Sequence, residues 1–330
     1  MDFSKRLKTA RQLRGFSMAD LVGRLSVPLS RQSIAKYEAG DMYPSPSVAE
    51  ALCKALDVSW EMLSGQKQFQ FSSFRLRTGA GSEVGPELLE RYEELTRLWL
   101  DGYLLQEENA GMTSSFENPL KGFQVETKED VERAAEELRA AWNLGSGLIP
   151  HFLRLLERKG IHILDTPLPE KVYGTSTWAD GRYPLMILTM DPKVTTTERQ
   201  RFTAAHELGH LLLDLPDDAP IKCVERFCNQ FAGCLLIPPE TLREELGTQR
   251  DFLTIEELSD LHVQYGVSVA AIVHEAFDLD IISRNVYDFL FEEYIKKNTL
   301  EVGWGTYPLP ETLGREQRIK SITHHKNHLL

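Results

Sequence analysis

His206-Glu207-Leu208-Gly209-His210 sets two imidazoles four residues apart with a carboxylate beside the first. On an α-helix, positions i and i+4 share a face, so both rings can reach one metal ion. Zinc suits imidazole nitrogen, and a catalytic zinc keeps one position open for water. Glu207 would stand beside that position as a general base. This H-E-x-x-H pattern is a metalloprotease signature, although the bare motif is short. The bland alternative is a core helix whose two histidines merely hydrogen-bond, but two histidines and a glutamate are costly to bury without a partner.

The flanks define the carrying helix. Thr195 and Glu198 have capping-box spacing at its start, Phe202, Leu208 and Leu211 to Leu213 supply apolar packing, and Pro216 ends it. A second helix is expected over 221–237, stopped by Pro238-Pro239, with Val224, Phe227, Cys228, Phe231 and Leu235 in helical rhythm. Glu225 lies off that apolar stripe and could complete a His-His-Glu site. Glu198, Asp214, Asp217 and Asp218 are the competing carboxylates. Asn229, one turn after Glu225, could accept the N–H of a ligand histidine and fix its tautomer.

The run Arg201-Phe202-Thr203-Ala204-Ala205-His206-Glu207-Leu208-Gly209-His210-Leu211-Leu212-Leu213 resembles the core of the ImmA/IrrE metallopeptidases. Glu225-Arg226-Phe227-Cys228-Asn229-Gln230-Phe231-Ala232, followed by Leu235-Leu236-Ile237-Pro238, resembles that family's second motif, with Cys228 where alanine is common. The resemblance runs from about residue 138 to about 294. It implies a gluzincin-like fold, one zinc per chain, Glu225 as third ligand, endopeptidase activity, and repressor-like proteins as substrates.

The amino terminus reads as short amphipathic helices from residue 3 to 63. Leu7, Ala10 and Leu13 line the first, Ser17 can cap the second, and Ser30 can cap a third that Gly40 ends. This spacing fits a helix-turn-helix bundle. Arg6-Leu7-Lys8, Ser17, Ile34, Tyr37-Glu38-Ala39-Gly40, Pro44-Ser45 and Leu56-Asp57-Val58-Ser59 resemble the XRE/Cro-type repressor domain over residues 1–64. That resemblance makes the third helix the recognition helix. Arg31, Gln32 and Ser33 would face base edges, Lys36 base or phosphate, and Ser30 belongs with them at the helix start. Met18, where a polar phosphate contact is common, and the lengthened Pro28-Leu29 turn are departures. Operator DNA is the implied partner, bound by a homodimer on paired half-sites.

The whole chain carries a net charge of −12. Residues 1–64 hold nine Lys/Arg against seven Asp/Glu, a net of +2, which leaves −14 for the rest. A basic module on an acidic body suits DNA binding at one end. No apolar run approaches a membrane span, the start is not a secretory signal, and Cys53, Cys223, Cys228 and Cys234 show no disulfide framework, so a reducing cytoplasm is expected. A redox-sensing thiol near the metal is a minor alternative.

The expected class is α+β and mostly helical: an all-α helix-turn-helix bundle plus a gluzincin-like metallopeptidase domain with a small sheet. The expected domains are 1–64, a linker over 65–125 with a helix at 86–108, a peptidase domain over 126–297, and a loose tail from 298 that holds His324, His325 and His328. Residues 79–82 are the linker's expected flexible end. Strands are expected at 161–164, 173–178 and 185–188, the last as the substrate-holding edge. Helices are expected at 128–142, 148–159, 255–265, 269–277 and 281–296. The competing function is a transcription factor, or an antitoxin-like autorepressor, whose peptidase-like body senses a partner without cleaving it.

Overall fold

A computed structural model describes residues 2–76, 84–216 and 218–328. The expected flexible end at 79–82 and Asp217 lie outside the described residues, as do the tail histidine side chains. The chain forms two compact units. The first gathers residues 1–115, 178–185 and 314–330, and the second 116–177 and 186–313.

The first unit begins with five helices: α1 Phe3–Leu13, α2 Met18–Arg24, α3 Arg31–Ala39, α4 Pro46–Leu56 and α5 Trp60–Ser64. Four of these five starts carry a side-chain cap, and α4 opens on Pro46 instead. Asp2, Ser17, Ser30 and Ser59 cap their helices through side-chain oxygens, and Ser17 with Asp20 makes a full capping box. Leu7, Leu21, Ile34, Leu52, Leu56 and Met62 are fully buried and form the bundle's core. Arg11 clamps Glu38 through two hydrogen bonds of 2.6 and 2.8 Å, which fixes α3 to α1. This bond to Glu38 raises the Arg11 pKa, against the pull of burial.

The long helix α6, Pro86–Ala110, packs on this bundle. Arg6 meets Glu94 at 3.0 Å with both side chains buried. Asp101 accepts the Ser59 backbone N–H at 2.7 Å and pairs with Lys67 at 3.0 Å. The terminal helix α15, Arg315–His328, also packs on α6, with Arg315 2.8 Å from the buried Glu107. The stretch expected as a plain linker buries Phe69, Phe74 and Leu76, and Phe71 bridges to Ala179. Its aromatic side chains account for the difference: they bury too much apolar surface to remain solvated.

Next in the chain come α7 Lys128–Trp142, α8 Phe152–Arg158 and a three-stranded sheet of β1 His162–Asp165, β2 Gly174–Ala179 and β3 Tyr183–Leu188; of these, residues 178–185 count with the first unit and the rest with the second. The helices α9 Thr197–Leu212, α10 Ile221–Leu236, α11 Pro239–Leu246, α12 Ile255–Tyr265 and α13 Val269–Asp278 follow. Then comes α14 Arg284–Leu290, which continues as a π-helical turn over Phe291–Ile295. α8 starts later than the expected 148 because Pro150 precedes His151, whose φ is +48°.

Sheet order is β1-β3-β2, so β3 is central. The expectation of 185–188 as an edge is therefore wrong. Five consecutive buried residues in β3 are what a strand covered on both faces requires, whereas β2 alternates half-buried and buried. Asp180 and Gly181, at φ +53° and +62°, are the central residues of the turn between β2 and β3, which the Arg182 N–H closes on the Ala179 carbonyl at 3.0 Å.

Between Glu301 and Ile319, the stretch expected as a loose tail is instead packed. Tyr307 and Glu311 are buried. Glu311 accepts the backbone N–H groups of Phe152 and Leu153 and pairs with Arg201 at 2.6 Å, both side chains being fully buried. A buried charge needs such a partner, and Arg201 on α9 leaves the chain little choice.

Candidate metal centre

α9 begins one residue later than the capping-box spacing suggests. Thr196 is the cap and accepts the Arg199 N–H, while Glu198 lies 3.9 Å from His262. The helix ends at Leu212, before Pro216. α10 packs closely along α9. Gly209 makes this approach feasible: a Cβ there would stand 3.3 Å from the Cα, Cβ and Sγ of Cys228. With the helices this near, Glu225, one turn before Cys228, reaches both histidines of α9.

The Nε2 atoms of His206 and His210 are 3.1 Å apart. Glu225 Oε2 lies 3.3 Å from His206 Nε2, and Oε1 lies 3.7 Å from His210 Nε2. Among the described residues these three form the one cluster of metal-type ligands, with donor atoms within 4.8 Å of one another. Donors at three corners of a tetrahedron, each about 2.0–2.1 Å from the centre, stand about 3.3–3.4 Å apart. The observed separations bracket that range, so the residues fit a tetrahedral ion. His206 Nδ1 lies 2.9 Å from Asn229 Oδ1. With Nδ1–H donating to that amide oxygen, Nε2 keeps its lone pair for the centre. Neither Glu198 nor Asp214 belongs to the cluster, and Asp218 stays outside it.

The site favours positive charge. Burial lowers the His206 pKa, but the Glu225 hydrogen bond and the Glu207 and Glu225 charges outweigh it, and the net direction is upward. His206 and then His210 hold the Glu225 carboxyl well below its usual range. Cys228, beneath the motif, is pushed well above the ordinary thiol value, first by burial and then by Glu207 and Glu225. A buried neutral thiol is a poor redox sensor. All four cysteines are free.

Glu207 is 8% exposed and accepts a 2.6 Å hydrogen bond from Ser176 Oγ on β2. Ser176 escapes sequence reading, because nothing in one sequence registers a strand against a helix face.

On α3, Arg31, Gln32 and Lys36 are exposed and Ser33 is half-buried. Ser30 Oγ accepts the Ser33 N–H at 3.1 Å and lies 2.9 Å from Ser33 Oγ, so this oxygen is engaged in capping.

Two family models match the chain. Residues 7–63 match a helix-turn-helix model, and residues 156–277 match the peptidase family described as the IrrE N-terminal-like domain. No curated protein matches it. The chain thus joins the helix-turn-helix of a DNA-binding regulator to an IrrE/ImmA-type metallopeptidase-like domain, a family consistent with a metal cofactor. Among the described residues, no helix is long and apolar enough to cross a membrane.

Proposed function

We propose that this regulator is a zinc-dependent endopeptidase acting on a repressor-like regulatory protein, and that its helix-turn-helix reads an operator. The carrying observation is the His206, His210 and Glu225 triangle, whose edges suit a tetrahedral ion, with Glu207 beside it. His206, His210 and Glu225 would hold one zinc per chain, and Asn229 would orient His206. Bound zinc supplies Lewis acidity, which acidifies water and draws charge from a carbonyl oxygen. Glu207 takes the proton of the attacking water and returns it to the leaving amine nitrogen as the C–N bond breaks. Arg31, Gln32, Ser33 and Lys36 would meet DNA from the start and exposed side of α3. Ser30 would serve there as the helix cap. In domain terms, residues 1–64 would read DNA, and the peptidase expected over 126–297 would extend to the end of the second unit at 313.

The test is zinc content of the full-length chain. Wild type and Glu207→Gln are expected to hold about one zinc, and Glu225→Ala to lose it or bind it far more weakly. Glu207→Gln is further expected to cut no substrate. Zinc-free, folded wild type would leave a DNA-binding sensor as the better reading.

A further inference from the structure

We propose that Ser176 is the positioning residue for Glu207: its hydroxyl pins one carboxylate oxygen and leaves the other to receive the proton. This rests on the peptidase reading above and goes beyond its ligand set. The observation is the 2.6 Å hydrogen bond from Ser176 Oγ to Glu207 Oε2. It follows from how two regular elements meet. Gly174 and Ser176 share one face of β2, because strand side chains alternate. Thr203 and Glu207, four residues apart, share one face of α9. These faces are opposed: a Cβ on Gly174 would stand 2.6 Å from Thr203 Cγ2 and 3.5 Å from Glu207 Cγ. The missing side chain at 174 lets the strand lie against the helix, and two residues on, the shortest hydroxyl side chain reaches the carboxylate. The strand thereby fixes the end of a glutamate that the helix holds only at its Cα. A base misplaced by about 1 Å can lose about a hundredfold in rate.

The experiment uses full-length wild type, Ser176→Ala, Ser176→Thr, Glu207→Ala and the Ser176→Ala/Glu207→Ala double variant. Thermal unfolding of metal-free protein reads the bond. Ser176→Ala is expected to lower the midpoint by about 3 °C when Glu207 is present and to change little in the Glu207→Ala background. Hydrolysis by zinc-loaded protein reads the role: a set of quenched-fluorescent peptides is screened with wild type, and kcat and KM are then compared on a single peptide that it cuts. Ser176→Ala is expected to lower kcat about 10- to 100-fold with KM within about twofold, and Ser176→Thr to restore most of it. An equal midpoint drop in both backgrounds, wild-type kcat in Ser176→Ala, or a loss confined to KM would each overturn the proposal. Zinc-loaded wild type that cuts none of the peptides would overturn the peptidase reading and Ser176's role with it. The midpoint comparison needs no metal, so it separates that outcome from failure of the bond itself.

Discussion

Glu275 is not part of the proposed metal cluster, yet it is the acid whose titration the second unit should register. It sits on α13 and accepts a 3.1 Å hydrogen bond from the Cys234 thiol on α10. Asp278 on its own helix and Glu132 and Lys128 on α7 also act on it. Burial pushes its carboxyl from 4.5 up to about 8. The folded chain then keeps a proton that the unfolded chain releases above 4.5. Stability from this residue is therefore full below about 4.5 and declines as pH rises to about 8, with a slope approaching ~1.4 kcal/mol per pH unit. Glu275→Gln should flatten that stretch of the stability profile in denaturant titrations, and an unchanged slope would place the proton elsewhere. At the same scale, the proposed ligands were legible where Ser176 was not. Periodicity puts His206 and His210 on one face, and Glu225 and Asn229 one turn apart on the next helix, so all four can be read within single elements. Ser176 meets Glu207 across 31 residues, through a register that only packing sets.

Gly102 shows the same dependence at the scale of elements. It lies in the middle of α6, where alanine would ordinarily stabilise a helix by roughly 0.5–1 kcal/mol. A Cβ there would run into the backbone carbonyl oxygen of Asp57, between α4 and α5. Backbone cannot rotate away as a side chain can, and overpacking typically costs about 1–3 kcal/mol. The clash outweighs the propensity, so Gly102→Ala is expected to lower the unfolding midpoint of the first unit by several degrees. A rise in the midpoint would mean that α6 does not press on the bundle. The helix itself was readable at 86–108, where Leu88, Tyr92, Leu95, Trp99 and Tyr103 recur in helical register, but its partner was not, because an apolar stripe does not name what covers it. The sheet repeats this. All three strands were placed to within two residues, whereas their order needed a reading of burial: the unbroken apolar run of β3 marks a centre and the alternation of β2 an edge. Asp180 and Gly181, both at positive φ, turn β2 back into β3.

Across the whole molecule, the last thirty or so residues do two jobs, and truncation can separate them. Residues up to 313 belong to the second unit and those from 314 to the first. Glu301 accepts the Val269 and Ala270 N–H groups at the start of α13, and Glu311 neutralises Arg201 five residues before His206 on α9. Local composition hides this: prolines and glycines near 303–310 look like a free tail, and the carboxylates matter only once Arg201 is buried by the fold. Removing one member of a buried ion pair typically costs about 3–5 kcal/mol, because the other charge is left without compensation. A chain ending at 298 is thus expected to lose zinc binding through unfolding of the second unit. A chain ending at 313 keeps Glu301, Tyr307 and Glu311, so its zinc affinity should match wild type. It lacks Arg315 and α15, so the loss should fall on the first unit, read as a lower unfolding midpoint and weaker operator binding. Equal zinc affinity in both truncations would show that Glu311 does not hold the metal-bearing helix. Loss of zinc in both would show that Glu301, Tyr307 and Glu311 do not suffice to hold the second unit in its zinc-binding form.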